Sequence, residues 1–385
     1  MSRMEAEMNK SHRAHVQAVE EIPDPSKNQD YVTALKGARI LSKSLPPIQE
    51  LLTLLLQKSP SSPVSAAAGR LCVVLGLHRN AREFFRQAIE LDLRNVELHN
   101  ELGLLELQLN QHAAAEACFY TVIEADPRNS EAPRHLTGLY KVAPQLAEDH
   151  PSRQVQCPCC NGHFPRFLPK GIVLRPYAQC PRCGSLERHR LIWLYVLHRT
   201  GLCANSMEIR FLHVAPEPVL EAAFRQIPRL QYVSADLDPS RAMVQMDITN
   251  IHFEDDRFDA ILCSHVLEHI PDDLTAMREL HRILKPGGWA ILQVPIDRGR
   301  TASFEDPSVR TPEERERVFG QHDHVRIYGL DYRDRLEAAG FCVSVDPFAQ
   351  HLGLEACKRY GLDSKEEIYF CTKEDLGEVL ADARE

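Results

Sequence analysis

Two short cysteine motifs in the middle of the chain have the spacing of metal ligands. The segment CPCC is followed, after 19 residues, by CPRC, and each holds a C-x-x-C pair. Two such turns direct four thiolates at one tetrahedral ion, for which zinc is the usual occupant. Because protein would fill all four positions, the ion should hold structure and should not catalyse. We therefore expect a structural Zn²⁺ bound by Cys157, Cys160, Cys180 and Cys183.

The N-terminal residues and the short apolar runs predict the cellular compartment, and the compartment predicts the state of the cysteines. The chain contains 12 cysteines, and its first residues, MSRMEAEMNKSHRAHVQ, lack the apolar core of a secretory signal. No apolar run approaches the roughly 18 to 20 residues that a membrane-spanning helix needs. We therefore expect a cytoplasmic protein with no membrane association, in which thiols stay reduced.

For the four-cysteine site, a redox dithiol pair is the alternative to a zinc ion. Cys159 is not among the four expected ligands, and His163 could substitute for one of them.

Polar residues also follow two apolar runs in the C-terminal half. Asp236 and Asp238 come directly after the run YVSA, and Ser264 and His265 follow another run, AILC. One carboxylate can accept hydrogen bonds from both vicinal hydroxyls of a ribose. Asp236 is the preferred ribose contact and Asp238 the alternative.

The elements that must position these residues alternate short apolar runs with helical patterns. This order predicts an α/β domain over residues 205–385, with a doubly wound, parallel, Rossmann-like sheet and helices on both faces. Such sheets bind ligands beyond the carboxyl ends of their strands. The helical patterns fall at 218–226, 271–284 and 330–339. The predicted strands are Ile209–Val214, Gln231–Ala235, Phe258–Cys263, Trp289–Val294, Phe341–Val345 and Ile368–Cys371.

One segment of this half resembles class I SAM-dependent methyltransferases of the type 11 group. It reads FDAILCSHVLEHI and continues to LKPGGW, with the family's order and spacing. The resemblance covers about residues 205–345 and implies a methyltransferase that uses S-adenosyl-L-methionine. It also implies that Asp247 accepts from the adenine amino group and that the amide of Ile248 contacts the ring. Ser264 and His265 would then lie beside the methyl donor.

The loop after the first predicted strand departs from the family pattern. The family has an acid followed by alternating glycines, but here the register reads HVAPEPV, without glycine. Glycine there allows positive φ and a close approach to the ligand. Either the loop takes another path, with His213, Ala215 and Glu217 at the donor and Glu217 facing its ammonium, or donor binding is lost. We favour the first, because the ribose and adenine positions remain; a non-catalytic adaptor is the alternative.

The insert after the fifth predicted strand, residues 297–332, should cover the acceptor site. Methyl transfer to oxygen or nitrogen releases a proton, and a histidine with a pKa near neutrality can accept it. We predict His324 as this base and His322 as the second choice; the alternative is that both only fix the insert to the sheet. The preferred acceptor is an O or N atom of a small molecule, a sugar or glycan, or a natural-product intermediate. RNA comes second and protein third.

The first 150 residues show an internal repeat. Residues 81–95 align with 115–129 at an offset of 34, and seven of the 15 positions are identical. A fixed period of this length indicates a solenoid of stacked helices, and the pattern resembles tetratricopeptide repeats. We therefore predict an all-α repeat domain over residues 1–150.

The repeats differ from the usual tetratricopeptide pattern at two positions, and they require further helices to cap them. His99 and Glu106 replace the usual aromatic residues. Because each repeat exposes an apolar face, residues 29–58 should add capping helices. A generic helical bundle is the alternative. Repeats of this kind bind another protein or order an oligomer, so we expect a protein partner or self-association.

Charge is unevenly distributed along the chain. The net charge is −9, which argues against nonspecific binding of nucleic acid. Residues 151–204 are predicted to form a small zinc-binding module with a linking helix. Residues 151–205 contain eight Lys or Arg and a single acidic residue. RNA or another anionic partner is therefore the alternative to a solvated surface.

Overall fold

The computed structural model divides the chain into two compact units, which meet between Gly184 and Ser185. The cysteine module groups with the repeats, and the helix after it groups with the C-terminal domain, so these units differ from the segments expected at 150 and 204. No helix in the described ranges is long and apolar enough to cross a membrane. The capping helices expected at 29–58 lie outside those ranges. The structure describes residues 61–148, 150–152, 154–203 and 207–374.

The described part of the first unit contains two helix pairs, and the second pair repeats the first at the predicted spacing of 34 residues. Helices α1 and α2 form the first pair and α3 and α4 the second. At the start of α3, the side chain of Asn95 accepts a hydrogen bond from the N–H of Leu98 at 3.2 Å, which caps the helix. The helices of this unit are α1 Ser62–Val74, α2 His78–Leu91, α3 Val96–Gln108, α4 His112–Ala125, α5 Glu131–Val142 and α6 Gln145–Glu148.

A glycine in the first helix of each pair lets the second helix approach closely. A Cβ built on Gly69 would lie 2.8 Å from the ring of Phe85, and one on Gly103 would lie 2.6 Å from the ring of Phe119. Both phenylalanines are buried. The sequence repeat is therefore also a repeat of one packing contact.

Two ion pairs explain how an acidic residue can occupy a position where the repeat usually has an aromatic residue. Glu106 is 1% exposed, and its carboxylate lies 2.7 Å from Arg82 and 3.5 Å from Arg86, both on α2. A buried carboxylate is tolerated when it is paired in this way. His99, at the other such position, lies near the surface with Nε2 3.3 Å from the carbonyl oxygen of Leu93.

Replacing Gly103 by alanine should destabilise the first unit by about 1 to 3 kcal/mol, because the added methyl overlaps the buried Phe119 ring. In an open helix the same change stabilises by about 0.5 to 1 kcal/mol. Gly138→Ala in α5 is the matched control, since a Cβ there meets nothing within 4 Å. Chemical denaturation should show that the free energy of unfolding falls for Gly103→Ala and rises for Gly138→Ala. If both variants changed it in the same direction and by the same amount, the repeated Gly–Phe contact would be contradicted.

The cysteine module caps the repeats. Phe164 and Phe167 are fully buried and share one core with Tyr120 and Tyr140 of the last helices. The rings of Tyr140 and Phe164 lie 5.1 Å apart, edge to face. The module therefore covers the apolar face that a terminal repeat leaves open. Its two antiparallel hairpins are formed by β1 Val155–Gln156, β2 His163–Phe164, β3 Leu168–Lys170 and β4 Arg175–Gln179.

The second unit contains a seven-stranded sheet in the order β12-β13-β9-β8-β5-β6-β7. All six predicted strands are present, and β7 was missed because it is only two residues long. The predicted parallel sheet is confirmed except at β13, which is antiparallel to both of its neighbours; an apolar run does not encode strand direction. The strands are β5 Ile209–Val214, β6 Leu230–Asp236, β7 Val244–Gln245, β8 Phe258–Ser264, β9 Leu284–Gln293, β12 Cys342–Asp346 and β13 Ile368–Thr372.

Helices cover both faces of this sheet and form two cores with it. Between β9 and β12, the predicted insert contains a small antiparallel pair, β10 Phe304–Glu305 and β11 Arg326–Ile327. The helices are α7 Glu187–Arg199, α8 Pro218–Phe224, α9 Asp273–Ile283, α10 Pro312–Phe319, α11 Tyr332–Ala338, α12 Phe348–Leu352 and α13 Leu354–Tyr360, with a 3₁₀ turn at Leu267–His269.

Helix α7 packs into one of the cores of the second unit, and a buried arginine also binds it there. Arg190 is fully buried and donates to the carbonyl oxygens of Ser185, Tyr360 and Gly361 at 2.6 to 2.7 Å. Arg190 was counted in the basic segment, but it is not part of any basic surface. The local positive charge available to an anionic partner is therefore smaller than the sequence count indicates.

Candidate active site and cysteine cluster

The loop after β5 carries alanine at a position of positive φ. Ala215 has a φ of 47°, and its N–H donates to the carbonyl oxygen of Ala235 at 2.7 Å. Beneath it, fully buried His213 lies 3.0 Å from the Tyr232 hydroxyl through Nδ1 and 2.9 Å from Glu217 through Nε2. Both ring nitrogens of His213 are thus engaged within the protein. His213 holds the loop, and Ala215 adopts the kind of conformation for which glycine is usually required.

Glu217 precedes α8 and has one oxygen left for a ligand. Its Oε1 atom is buried and has no hydrogen-bond partner in the part of the chain that the structure describes; Nε2 of His189 lies 3.7 Å away. Burial opposes ionisation, but the hydrogen bond to His213 and the nearby imidazoles hold the pKa of Glu217 below its usual value. A buried carboxylate with one oxygen that accepts no hydrogen bond suits a ligand ammonium group.

The two candidate ribose contacts differ in their surroundings. Asp236 ends β6, is 9% exposed, and accepts the N–H of Asp238 at 2.9 Å through Oδ1. Asp238 is exposed, and its Oδ1 accepts from both the hydroxyl and the N–H of Ser240, which lowers its pKa. Asp238 therefore closes a surface turn, whereas Asp236 lies sheltered at the strand end.

The two predicted adenine contacts follow β7. Asp247 is exposed, and its Oδ1 accepts from the N–H and the hydroxyl of Thr249 at 2.8 and 2.7 Å. These two hydrogen bonds lower the pKa of Asp247, so it stays ionised as an acceptor. Ile248 is buried beside it.

The carboxyl end of β8 holds an unpaired hydroxyl and a second positive φ. Ser264 is 3% exposed, and its Oγ has no hydrogen-bond partner among the described residues. His265 has a φ of 55°, and its N–H donates to the carbonyl oxygen of Gln293 at 2.8 Å. Strands β5 and β8 are neighbours, so both strained residues follow adjacent strand ends. Such strain persists only where the surrounding structure enforces it, and it is concentrated at functional sites.

The predicted bases in the insert differ sharply in burial. His322 is exposed, with Nδ1 4.0 Å from a carboxylate oxygen of Asp323. His324 is 7% exposed, and its ring packs edge to face on His269 at 4.8 Å. Burial lowers the pKa of His324, so a neutral imidazole is favoured there. Of the two, only His324 is buried, and it packs against the 3₁₀ turn after β8.

The structure also brings in residues that the sequence reasoning did not select. Glu268 is 1% exposed, with Oε1 3.2 Å from Nδ1 of His265, and one ligand atom from each of Glu268, His269 and His324 lies within 4.8 Å of the others. Arg326, fully buried, donates to carbonyl oxygens of Leu267, Ile270 and Pro271 and fixes the insert on the 3₁₀ turn. The segment HVLEH, in which His265, Glu268 and His269 lie close together along the chain, was the sequence signal that could have pointed to this cluster.

The four predicted metal ligands form one cluster in the first unit. The Sγ atoms of Cys157 and Cys183 lie 3.6 Å apart and those of Cys160 and Cys180 lie 3.8 Å apart, and all four lie within 4.8 Å of one another. No disulfide joins them. A tetrahedral ion with Zn–S bonds of about 2.3 Å separates its sulfur ligands by about 3.8 Å. The donor set and its dimensions therefore fit zinc.

Family comparisons agree with this division of the chain. Residues 214–292 match the model of a methyltransferase domain. This segment is a methyltransferase domain. It spans the sheet from the end of β5 to β9 and so contains the loop, acid and Ser264 positions described above. Residues 65–95 and 96–129 match the tetratricopeptide repeat, which confirms the predicted repeats.

Two curated methyltransferases are similar to part of this chain. Ubiquinone biosynthesis O-methyltransferase of Alkalilimnicola ehrlichii is 35% identical over 115 residues, or 30% of this chain and 44% of the relative. The 2-phytyl-1,4-naphtoquinone methyltransferase of Nostoc punctiforme is 39% identical over 110 residues, or 29% of this chain and 42% of the relative. The chain thus spans less than half the length of these curated relatives.

Among solved structures, half of this chain is similar to phosphoethanolamine N-methyltransferase 2 of Haemonchus contortus in complex with S-adenosyl-L-methionine. Identity is 16%, the TM-score is 0.32, and the match covers 50% of this chain and 53% of that one. A likeness at this level adds nothing to the assignment of function.

Proposed function

We propose that the chain is an S-adenosyl-L-methionine-dependent methyltransferase that acts on an oxygen or nitrogen atom of a small molecule. The observation that carries this proposal is the unpaired, buried Ser264 hydroxyl at the end of β8, within the matched methyltransferase domain. Buried polar groups are nearly always paired, so an unpaired hydroxyl at a strand end suits a ligand. The same edge carries Asp236 and Glu217.

The donor would be held by residues at the ends of four strands, β5, β6, β7 and β8. Asp236 would accept both ribose hydroxyls, with Asp238 as the alternative, and Asp247 with the amide of Ile248 would hold adenine. Glu217 would face the methionine ammonium through Oε1, which accepts no hydrogen bond among the described residues. His213 would act by fixing the loop that carries Ala215, and Ser264 and His265 would contact the donor. When bound, the donor supplies an electrophilic methyl group on a sulfonium.

The acceptor would bind under the insert. Methyl transfer is an in-line displacement, so the protein must hold the acceptor atom within about 3 to 3.5 Å of the methyl carbon. His324 remains the predicted proton acceptor, because His322 is exposed. The names of the two curated relatives, a ubiquinone-pathway O-methyltransferase and a naphthoquinone methyltransferase, favour a small ring acceptor over RNA or protein. Sugars and natural-product intermediates remain within this class.

Two further assignments accompany this proposal. The cluster formed by Cys157, Cys160, Cys180 and Cys183 would hold one structural Zn²⁺, because its Sγ separations suit a tetrahedral ion. The tetratricopeptide repeats would bind a protein partner or a second copy of the chain, since repeats of this type present extended surfaces.

Calorimetric titration tests the donor site. The purified full chain should bind S-adenosyl-L-methionine and S-adenosylhomocysteine with a stoichiometry near one. Incubation of a host lysate with labelled donor and the enzyme should then place label in small molecules. Label in RNA or protein would overturn the preferred acceptor. The absence of binding heat, together with no protection from thermal unfolding, would support the adaptor alternative.

A further inference from the structure

Three metal-ligating side chains converge next to the proposed donor site. Glu268 and His269 lie on the 3₁₀ turn after β8, and His324 comes from the insert between β9 and β12. One ligand atom of each lies within 4.8 Å of the others. Ligands on a divalent ion at about 2.0 to 2.2 Å are separated by about 3 to 3.5 Å. Small side-chain rotations would close the remaining gap.

The second carboxylate oxygen of Glu268 is available to a cation. Glu268 is 1% exposed, and its Oε2 atom has no hydrogen-bond partner in the described ranges. Its other oxygen, Oε1, lies 3.2 Å from Nδ1 of His265. A buried carboxylate that lacks full compensation is costly, and pairing or metal coordination removes that cost.

The surrounding contacts hold these ligands in place. The N–H of Val325 donates to the carbonyl oxygen of Glu268 at 2.9 Å, which ties the residue after His324 to the turn. Nδ1 of His269 lies 3.3 Å from both the carbonyl oxygen and a carboxylate oxygen of Asp323. A proton on Nδ1 would satisfy these acceptors and leave Nε2 free to bind metal. Metal-binding histidines typically have a carboxylate or carbonyl partner of this kind.

We propose that Glu268, His269 and His324 bind a divalent transition-metal ion beside the acceptor site. Two imidazoles and one carboxylate form the ligand set of many catalytic metal sites and leave coordination positions open. This site is separate from the cysteine cluster, which lies in the other unit.

The role of the ion rests on the proposed methyltransferase function. An acceptor hydroxyl bound at an open position has a lowered pKa and loses its proton to solvent water. Its oxygen then forms a bond to the methyl carbon as the carbon–sulfur bond of the donor breaks. In this arrangement His324 would bind the ion, and this role would replace the role of proton acceptor proposed for it above.

The test uses the full chain, dialysed against EDTA to remove weakly held metal and then titrated with Co²⁺. Visible absorption reports the ligands, and elemental analysis counts the ions per chain. We expect one Co²⁺ per chain with the weak bands of nitrogen and oxygen ligands. The thiolate charge-transfer absorption of a cysteine site should not accompany it.

Variants of the cluster locate the ion. Glu268→Gln and the partly exposed His269→Gln should each weaken Co²⁺ binding by at least about 100-fold, more than the loss of an outer-shell partner. His322→Gln is the matched control, because His322 is exposed and lies outside the cluster; its Co²⁺ affinity should match that of the unaltered chain.

The possible results separate the two proposals. Co²⁺ that binds only with thiolate absorption, or that binds equally well to His269→Gln, would overturn the metal site, whatever the donor titration shows. Co²⁺ binding at the cluster without any binding of S-adenosylhomocysteine would uphold the metal site and reject the proposed function.

Discussion

Replacing Cys160 by serine should remove zinc from the chain and unfold the cysteine module together with the last repeat helices. A four-thiolate site contributes about 10 to 16 kcal/mol of folding free energy, which equals or exceeds the whole stability of a typical domain. The module shares its core with α4 and α5, so the loss should extend to Tyr120 and Tyr140. Elemental analysis should fall from one zinc per chain to none, and thermal unfolding of the first unit should begin far earlier.

Cys159→Ser is the matched control for this change. Cys159 is adjacent to Cys160 in the same turn but lies outside the four-sulfur cluster. It should retain one zinc and nearly the same unfolding temperature. Equal loss of zinc in both variants would revise the ligand set. A first unit that stays folded without metal would refute the structural role.

Replacing Asp236 by alanine should weaken S-adenosylhomocysteine binding by at least about 100-fold. The change removes two hydrogen bonds that the ribose hydroxyls would donate to the carboxylate, each worth about 1.5 to 3 kcal/mol. Asp236→Asn should have a smaller effect, because its amide oxygen can still accept one of them and the N–H of Asp238. Calorimetry gives the affinity, and circular dichroism verifies that the sheet remains folded.

Asp238→Ala provides the comparison for this prediction. Asp238 is exposed and uses its Oδ1 to close the turn at Ser240, so binding should change only a few-fold. If the order is reversed, the ribose contact belongs to Asp238. If both variants bind as tightly as the unaltered chain, the ribose does not bind at this loop.

The sequence predicted those features that depend on local spacing. A period of 34 residues defines the stacked helix pairs, since the same Gly–Phe contact recurs at that interval. Two C-x-x-C turns form the four-sulfur cluster, because each turn fixes two ligands within four residues. Alternating apolar and helical patterns gave all six predicted strands, since burial on both faces requires continuous apolar runs.

Other features were decided only by the tertiary structure, because they join distant segments or depend on backbone angles. The direction of β13 depends on its neighbours in the sheet. The cysteine module acts as a cap because Phe164 and Phe167 pack on the face that the last repeat would otherwise expose. The path of the loop without glycine depends on the positive φ of Ala215 and on the hydrogen bond between His213 and Glu217. Glu268 and His324 lie close together only because Arg326 fixes the insert on the turn after β8. Burial then leaves Oε2 of Glu268 without a hydrogen-bond partner, and a local sequence pattern cannot show this.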